Sequence, residues 1–132
     1  MVISLETAKR LKEAGIEPWF ELYYVANGEA FARFQFEQEA RWYAAHLRIG
    51  SPVAFGMREV YSADQLLAEI ERRECWYSLA RESGGDNYSL MLWKAHCRIE
   101  IFYAATAAQA AAQALLWILE REAGSERKNG AV

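Results

Sequence analysis

Thr106-Ala107-Ala108-Gln109-Ala110-Ala111-Ala112-Gln113-Ala114-Leu115-Leu116-Trp117-Ile118-Leu119-Glu120-Arg121-Glu122-Ala123-Gly124 is the stretch that decides the fold. Thr106 is an N-cap type, and Gln109 three residues later gives the spacing of a capping box. Gly124 can close the run in the left-handed conformation. The pattern predicts a helix from Thr106 to Ala123. Eight of the eleven residues from Ala104 to Ala114 are alanine, and five apolar residues follow Ala114 without a polar break. Ala108, Ala111, Ala112, Leu115 and Leu119 form one core stripe, and the alanines allow close approach to a sheet. Ala110, Ala114 and Trp117 lie on a second face. A helix apolar nearly all round is buried nearly all round. The expected cover for that second face is another copy of the protein, which makes Ala110, Ala114 and Trp117 a candidate oligomer interface. The alternative cover is the first half of the chain.

Upstream, three strands lead into this helix: Cys75 to Glu82, Asn87 to Ala95 and Cys97 to Ala104. Ser83-Gly84-Gly85-Asp86 makes one turn and Ala95-His96 the next. These turn lengths set a register. Tyr77 faces Leu92 and Leu79 faces Leu90. Leu92 then faces Ile99, and Leu90 faces Ile101. That side of the sheet is apolar and awaits the last helix. The other side carries Trp76, Trp93 and Arg98 in one cross-strand row, continued by Met91 with Glu100 and Ser89 with Phe102. Two indoles beside a guanidinium can hold a planar anionic ligand, because aromatic faces attract cations and stack on flat rings. The competing reading packs this row on the other half-sheet or a second subunit, with Arg98 paired to Glu100 or a neighbour. Arg33 and Arg58 are further candidates for holding a phosphate.

At the start of the chain, Ser4 caps a helix from Leu5 to Ala14. Gly15 ends it, with Ile16 placed to touch Leu11 in a Schellman motif. Glu17-Pro18 precedes an aromatic strand, Trp19 to Val25. Asn27-Gly28 is a strong hairpin signal, and Phe31 to Phe36 returns. Residues 37–49 fit two readings. Glu37 and Arg41 at i,i+4 suit a helix, whereas alternation suits a third strand that completes a meander; strand is preferred. Gly50-Ser51-Pro52 is a loop, and Val53 to Tyr61 is extended. Ser62 caps a second helix, with Gln65 at the capping-box position and Leu66, Leu67 and Ile70 as its stripe. The fold class is therefore α+β: antiparallel meander sheets flanked by three helices, in the order α-β-β-(β)-α-β-β-β-α. The expected organisation is a single domain over residues 1–124 with a flexible tail at 125–132.

Composition narrows the function. In 132 residues, 53% are apolar and 14% aromatic, enough to build a real core. The net charge of −3 argues against a nucleic-acid polymer as partner, though a small nucleotide needs only a few arginines. The apolar runs are far too short for a membrane span, and no leader opens the chain, so a cytoplasmic protein is expected. The cysteines, Cys75 and Cys97, make no disulfide framework. His46, His96, Cys75 and Cys97 have no metal-ligand spacing. No nucleophile elbow, phosphate loop or partnered carboxylate pair is present. The expectation is a non-enzymatic protein with no cofactor.

Three segments carry a resemblance: Ile3 to Gly15, Asp64-Gln65-Leu66-Leu67-Ala68-Glu69-Ile70-Glu71, and Ala114 to Glu120. With the strands before the last helix, they resemble small accessory proteins of phages and prophages of Gram-positive bacteria, in which helices flank a sheet. Residues 19–60 depart from that pattern. The family brings no catalytic residues. The resemblance implies an anti-defence role in an infected or lysogenic host. One form of that role is sequestration of a small nucleotide-like immune signal by a homo-oligomer. The other is inhibition of a host defence protein by direct binding.

Overall fold

The computed structural model describes residues 3–50, 53–82, 87–95 and 97–130. Ser51 and Pro52 of the expected loop, the expected turn Ser83 to Asp86, His96 and the last two residues of the expected tail lie outside them. The described residues form four helices and two three-stranded antiparallel sheets, an α+β architecture. They divide into two compact units, one comprising Met1–Ile16 with Tyr61–Val132, the other Glu17–Val60.

The first unit is built around helices α1 (Leu5–Glu13), α3 (Ala63–Arg72) and α4 (Ala107–Gly130) and strands β4 (Trp76–Arg81), β5 (Tyr88–Lys94) and β6 (Cys97–Ala104). Local chemistry sets its helix ends. The Ser4 and Ser62 hydroxyls accept from the amides of Thr7 and Gln65, satisfying donors that the first turn leaves open. Gly15, at φ +92°, lets the amide of Ile16 reach the Leu11 carbonyl at 2.9 Å. Ile16 and Leu11 are both buried, as the Schellman motif requires. Thr106 Oγ1 caps α4 by accepting from the Gln109 amide at 3.1 Å. The Gln109 side chain reaches α1, accepting from the Ser4 amide and donating to Thr7 Oγ1, each at 3.0 Å. α4 continues past Gly124, where a stop was expected, and runs to Gly130.

α4 touches α1, α3, β5 and β6. This accounts for its apolar circumference: Ala110, Ala111, Ala112, Ala114 and Leu115 are all fully buried inside the unit. The face assigned to a second copy is thus covered at Ala110 and Ala114 by the chain's own elements. Trp117 is half-buried and meets Phe102 edge-on, with ring centroids 6.1 Å apart.

The sheet runs β4-β5-β6. Tyr77 pairs with Leu92, Leu79 with Leu90 and Trp76 with Trp93, as the turn length predicts. Between β5 and β6 the expected register holds for Lys94 with Cys97 and Trp93 with Arg98 and fails beyond them. An irregularity at Leu92/Trp93 sets Leu92 against Glu100, Met91 against Ile101 and Leu90 against Phe102. A bulge adds one residue to one strand and shifts everything beyond it. Phe102 therefore packs on the core, and Ile101 and Tyr103 take the opposite face in place of Glu100 and Phe102.

The second unit comprises β1 (Trp19–Tyr24), β2 (Ala30–Phe34), α2 (Glu37–Gly50) and β3 (Phe55–Val60). The Asn27-Gly28 turn forms, with Gly28 at φ +74°. The preference for a strand at residues 37–49 is corrected: this segment is a helix. Arg41 donates to Glu37 one turn earlier at 2.7 Å, and Ala40 and Ala44 bury its inner face against β1 and β2. β3 takes the third place in the sheet, whose order is β2-β1-β3.

Candidate functional site

Of the residues singled out in the sequence, Trp76, Trp93 and Arg98 stand together. They occupy one row across β4, β5 and β6, on the side of the sheet away from Leu90 and Leu92. Trp76 is 74% exposed, Trp93 is half-buried and Arg98 is exposed. Among the described residues Arg98 makes no ion pair, and the Glu100 carboxylate expected to answer it accepts from the Ile101 amide instead. The two indoles do not stack on each other. Paired residues on adjacent antiparallel strands stand side by side on one face. The row is therefore a platform for one side of a flat ring rather than a slot that grips both. Met91, Ile101 and Tyr103, the last 61% exposed, extend it along the sheet.

The β4 end of the platform borders a hollow of about 710 Å³ lined by Glu71, Glu74, Cys75, Trp76 and Tyr77. Glu74 turns the chain into β4 at φ +59°, a left-handed conformation that non-glycine residues rarely hold. The Tyr77 phenol is pushed above its ordinary pKa, first by burial and then by its hydrogen bond to Glu71; it remains a donor. Glu74 thus borders the Trp76 end and an unanswered guanidinium stands at the other, while Glu71 is engaged by Tyr77 on the core face of β4. A ligand with an amino-bearing ring at one end and an anionic group at the other matches that polarity.

Arg33 and Arg58 do not join this row. They belong to the second unit, on β2 and β3, and both pair across the sheet with Glu21 of β1. Arg58 Nε donates to Glu21 Oε1 at 2.6 Å, and Arg33 Nη2 lies 3.4 Å from Oε2. Arg58 also donates to the Gly28 carbonyl at 2.9 Å and lies over the Tyr23 ring, 4.5 Å from its centroid. The Glu21 side chain is only 6% exposed, and Arg58 neutralises this buried carboxylate.

Sequence reasoning missed an exposed aromatic patch on α2. There Trp42, 64% exposed, and Tyr43 border a shallow hollow with Phe34. The signal was Trp42 and His46 at i,i+4, whose rings approach to 4.0 Å. Among the described residues no three His, Cys, Asp or Glu side chains come together as metal ligands, and no helix is long and apolar enough to cross a membrane. Comparison with protein-family models, with curated proteins and with solved structures finds no match.

Proposed function

We propose that this chain is a non-enzymatic binding protein that captures a small nucleotide-like anion on the open face of β4-β5-β6. The observation that carries this reading is the row Trp76–Trp93–Arg98, in which an exposed indole shares one face with a guanidinium that no carboxylate answers. The base lies over the indoles with its amino group toward Glu74, and the phosphate meets Arg98. Such a platform binds without reacting, since stacking and one charge pair supply affinity but no proton transfer. The setting is the one its resemblance implies, a phage accessory protein that withholds a nucleotide immune signal in the host cytoplasm. Oligomerisation belongs to the same proposal, through the open sheet face rather than through α4. Two platforms brought face to face would enclose a ring that one platform only supports.

A second reading has its own support. Met91, Ile101 and Tyr103 prolong the apolar face beyond what a small ligand needs, which suits a flat protein surface on a host defence effector. Isothermal titration of cyclic dinucleotides and ADP-ribose into the protein separates the two. The nucleotide reading expects saturable binding that weakens about tenfold or more in Trp93→Ala and in Arg98→Gln. Silence across the panel overturns it.

A further inference from the structure

On the opposite side of the same sheet, where β4 and β5 end against the second half of α4, lies a separate hollow of about 270 Å³. Arg73, Lys94 and Arg121 surround it, with Glu122 at the rim and Cys75 and Trp117 in its wall. The charges do not cancel. Arg73 is answered by Glu69 at 2.9 Å and more distantly by Glu122 at 3.7 Å. Among the described residues, neither Lys94 nor Arg121 has a carboxylate within ion-pair distance. The Arg121 guanidinium rests over the Trp117 ring, 4.2 Å from its centroid. Arg73 Nε is buried without a hydrogen-bond acceptor, and buried donors are ordinarily satisfied. The bulge that shifts β5 against β6 falls beside this hollow, at Leu92/Trp93, and bulges re-aim neighbouring side chains.

We propose that this hollow is a binding site for a small phosphate monoester carrying a single aromatic ring. The phosphate sits between Lys94 and Arg121 and turns one oxygen toward Arg73 Nε. Arg121, exposed at the helix surface, leaves the indole for the phosphate, and the ligand's ring takes its place against Trp117. The volume lies just below the usual range for drug-sized ligands, about 300–1,000 Å³, so one ring and one phosphate fill it and a dinucleotide does not enter. Burial pushes the Cys75 thiol up despite Lys94 and Arg73, so the thiol stays protonated and serves as wall rather than nucleophile. The site is independent of the reading proposed for the Trp76 face.

The test titrates phenyl phosphate, inorganic phosphate and phenol into the intact protein by calorimetry and tryptophan fluorescence. Phenyl phosphate should bind about tenfold or more tightly than either fragment, with a change in emission as Arg121 leaves Trp117. Lys94→Gln and Arg121→Gln, both at exposed positions, should each weaken it by about tenfold, while Lys9→Gln on the exposed side of α1 leaves it unchanged. No saturation by about 10 mM phenyl phosphate, or equal affinity in the wild type and both variants at Lys94 and Arg121, overturns the proposal. Loss of binding in Arg98→Gln alone also overturns it and moves the ligand to the other face.

Discussion

Arg58→Ala should destabilise the β2-β1-β3 sheet far more than Arg33→Ala, although both arginines flank the same carboxylate. The two side chains are almost equally exposed, at 43% and 44%, so exposure cannot produce the difference. Geometry does. Arg58 makes a 2.6 Å bond to Glu21, a 2.9 Å bond to the Gly28 carbonyl and a stack on Tyr23. A hydrogen bond to a charged group contributes about 1.5–3 kcal/mol, and a partly exposed cation over a ring about 0.5–1 kcal/mol. Solvent screening at the exposed arginine puts the first figure at its lower end, and the loss comes to roughly 2–3 kcal/mol. Arg33 makes one 3.4 Å contact, worth about 0–1 kcal/mol. Removing Arg58 also leaves Glu21, buried in the sheet, with only that long contact. Arg58→Lys should restore little, because an ammonium cannot reproduce the guanidinium fork. Urea unfolding read by amide exchange at Glu21 and Leu22 isolates this sheet from the rest of the chain. Equal losses in Arg58→Ala and Arg33→Ala would refute the claim that Arg58 neutralises Glu21.

Two further outcomes follow from burial. Leu115→Ala, at a fully buried position on α4, should cost about 2–5 kcal/mol in denaturant unfolding. Trp76→Ala, largely exposed, should cost under about 1 kcal/mol while weakening the nucleotide binding proposed for the sheet face. The thiols should separate as well: exposed Cys97 reacts with an aromatic disulfide reagent at once, and buried Cys75 at least roughly a hundredfold more slowly. Because burial raises the Cys75 pKa, its contribution to stability is complete below the unfolded value of about 8.5. That contribution is lost as pH rises through the higher folded value. Thermal melts from pH 7 to 10 should therefore fall at the alkaline end, and less steeply in Cys75→Ala.

Caps and turns were legible because they are local. Ser4, Gly15, Ser62 and Thr106 each mark a helix end through bonds spanning three to five residues. The helix at residues 37–50 was not, because Phe36 before it offers no capping oxygen and its alternation of aromatic and small residues imitates a strand. The Trp76–Trp93–Arg98 row was readable from turn length alone. The bulge just beyond it was not, since nothing in Ile99-Glu100 announces an extra residue. The pairing of Arg58 with Glu21 was not legible for a different reason: it depends on β1 pairing with β3 across 37 residues, and no local pattern encodes that. Ala110 and Ala114 looked spare because the sequence shows how apolar a helix is, not how many elements will pack around it.

The first unit is sewn from both ends of the described chain. Ser4 and Thr7 bond to Gln109, and Arg10 pairs with Glu120. During synthesis, then, α1 emerges from the ribosome a hundred residues before the helix it must dock on, and its Leu11 stays wet until α4 arrives. Residues 17–60 can meanwhile complete a sheet whose strands are all already made. The Tyr61 hydroxyl donates to the Ile16 carbonyl, so the two junctions of this inserted segment lie side by side. A short linker could bridge them and leave the α1–α4 unit to fold without it.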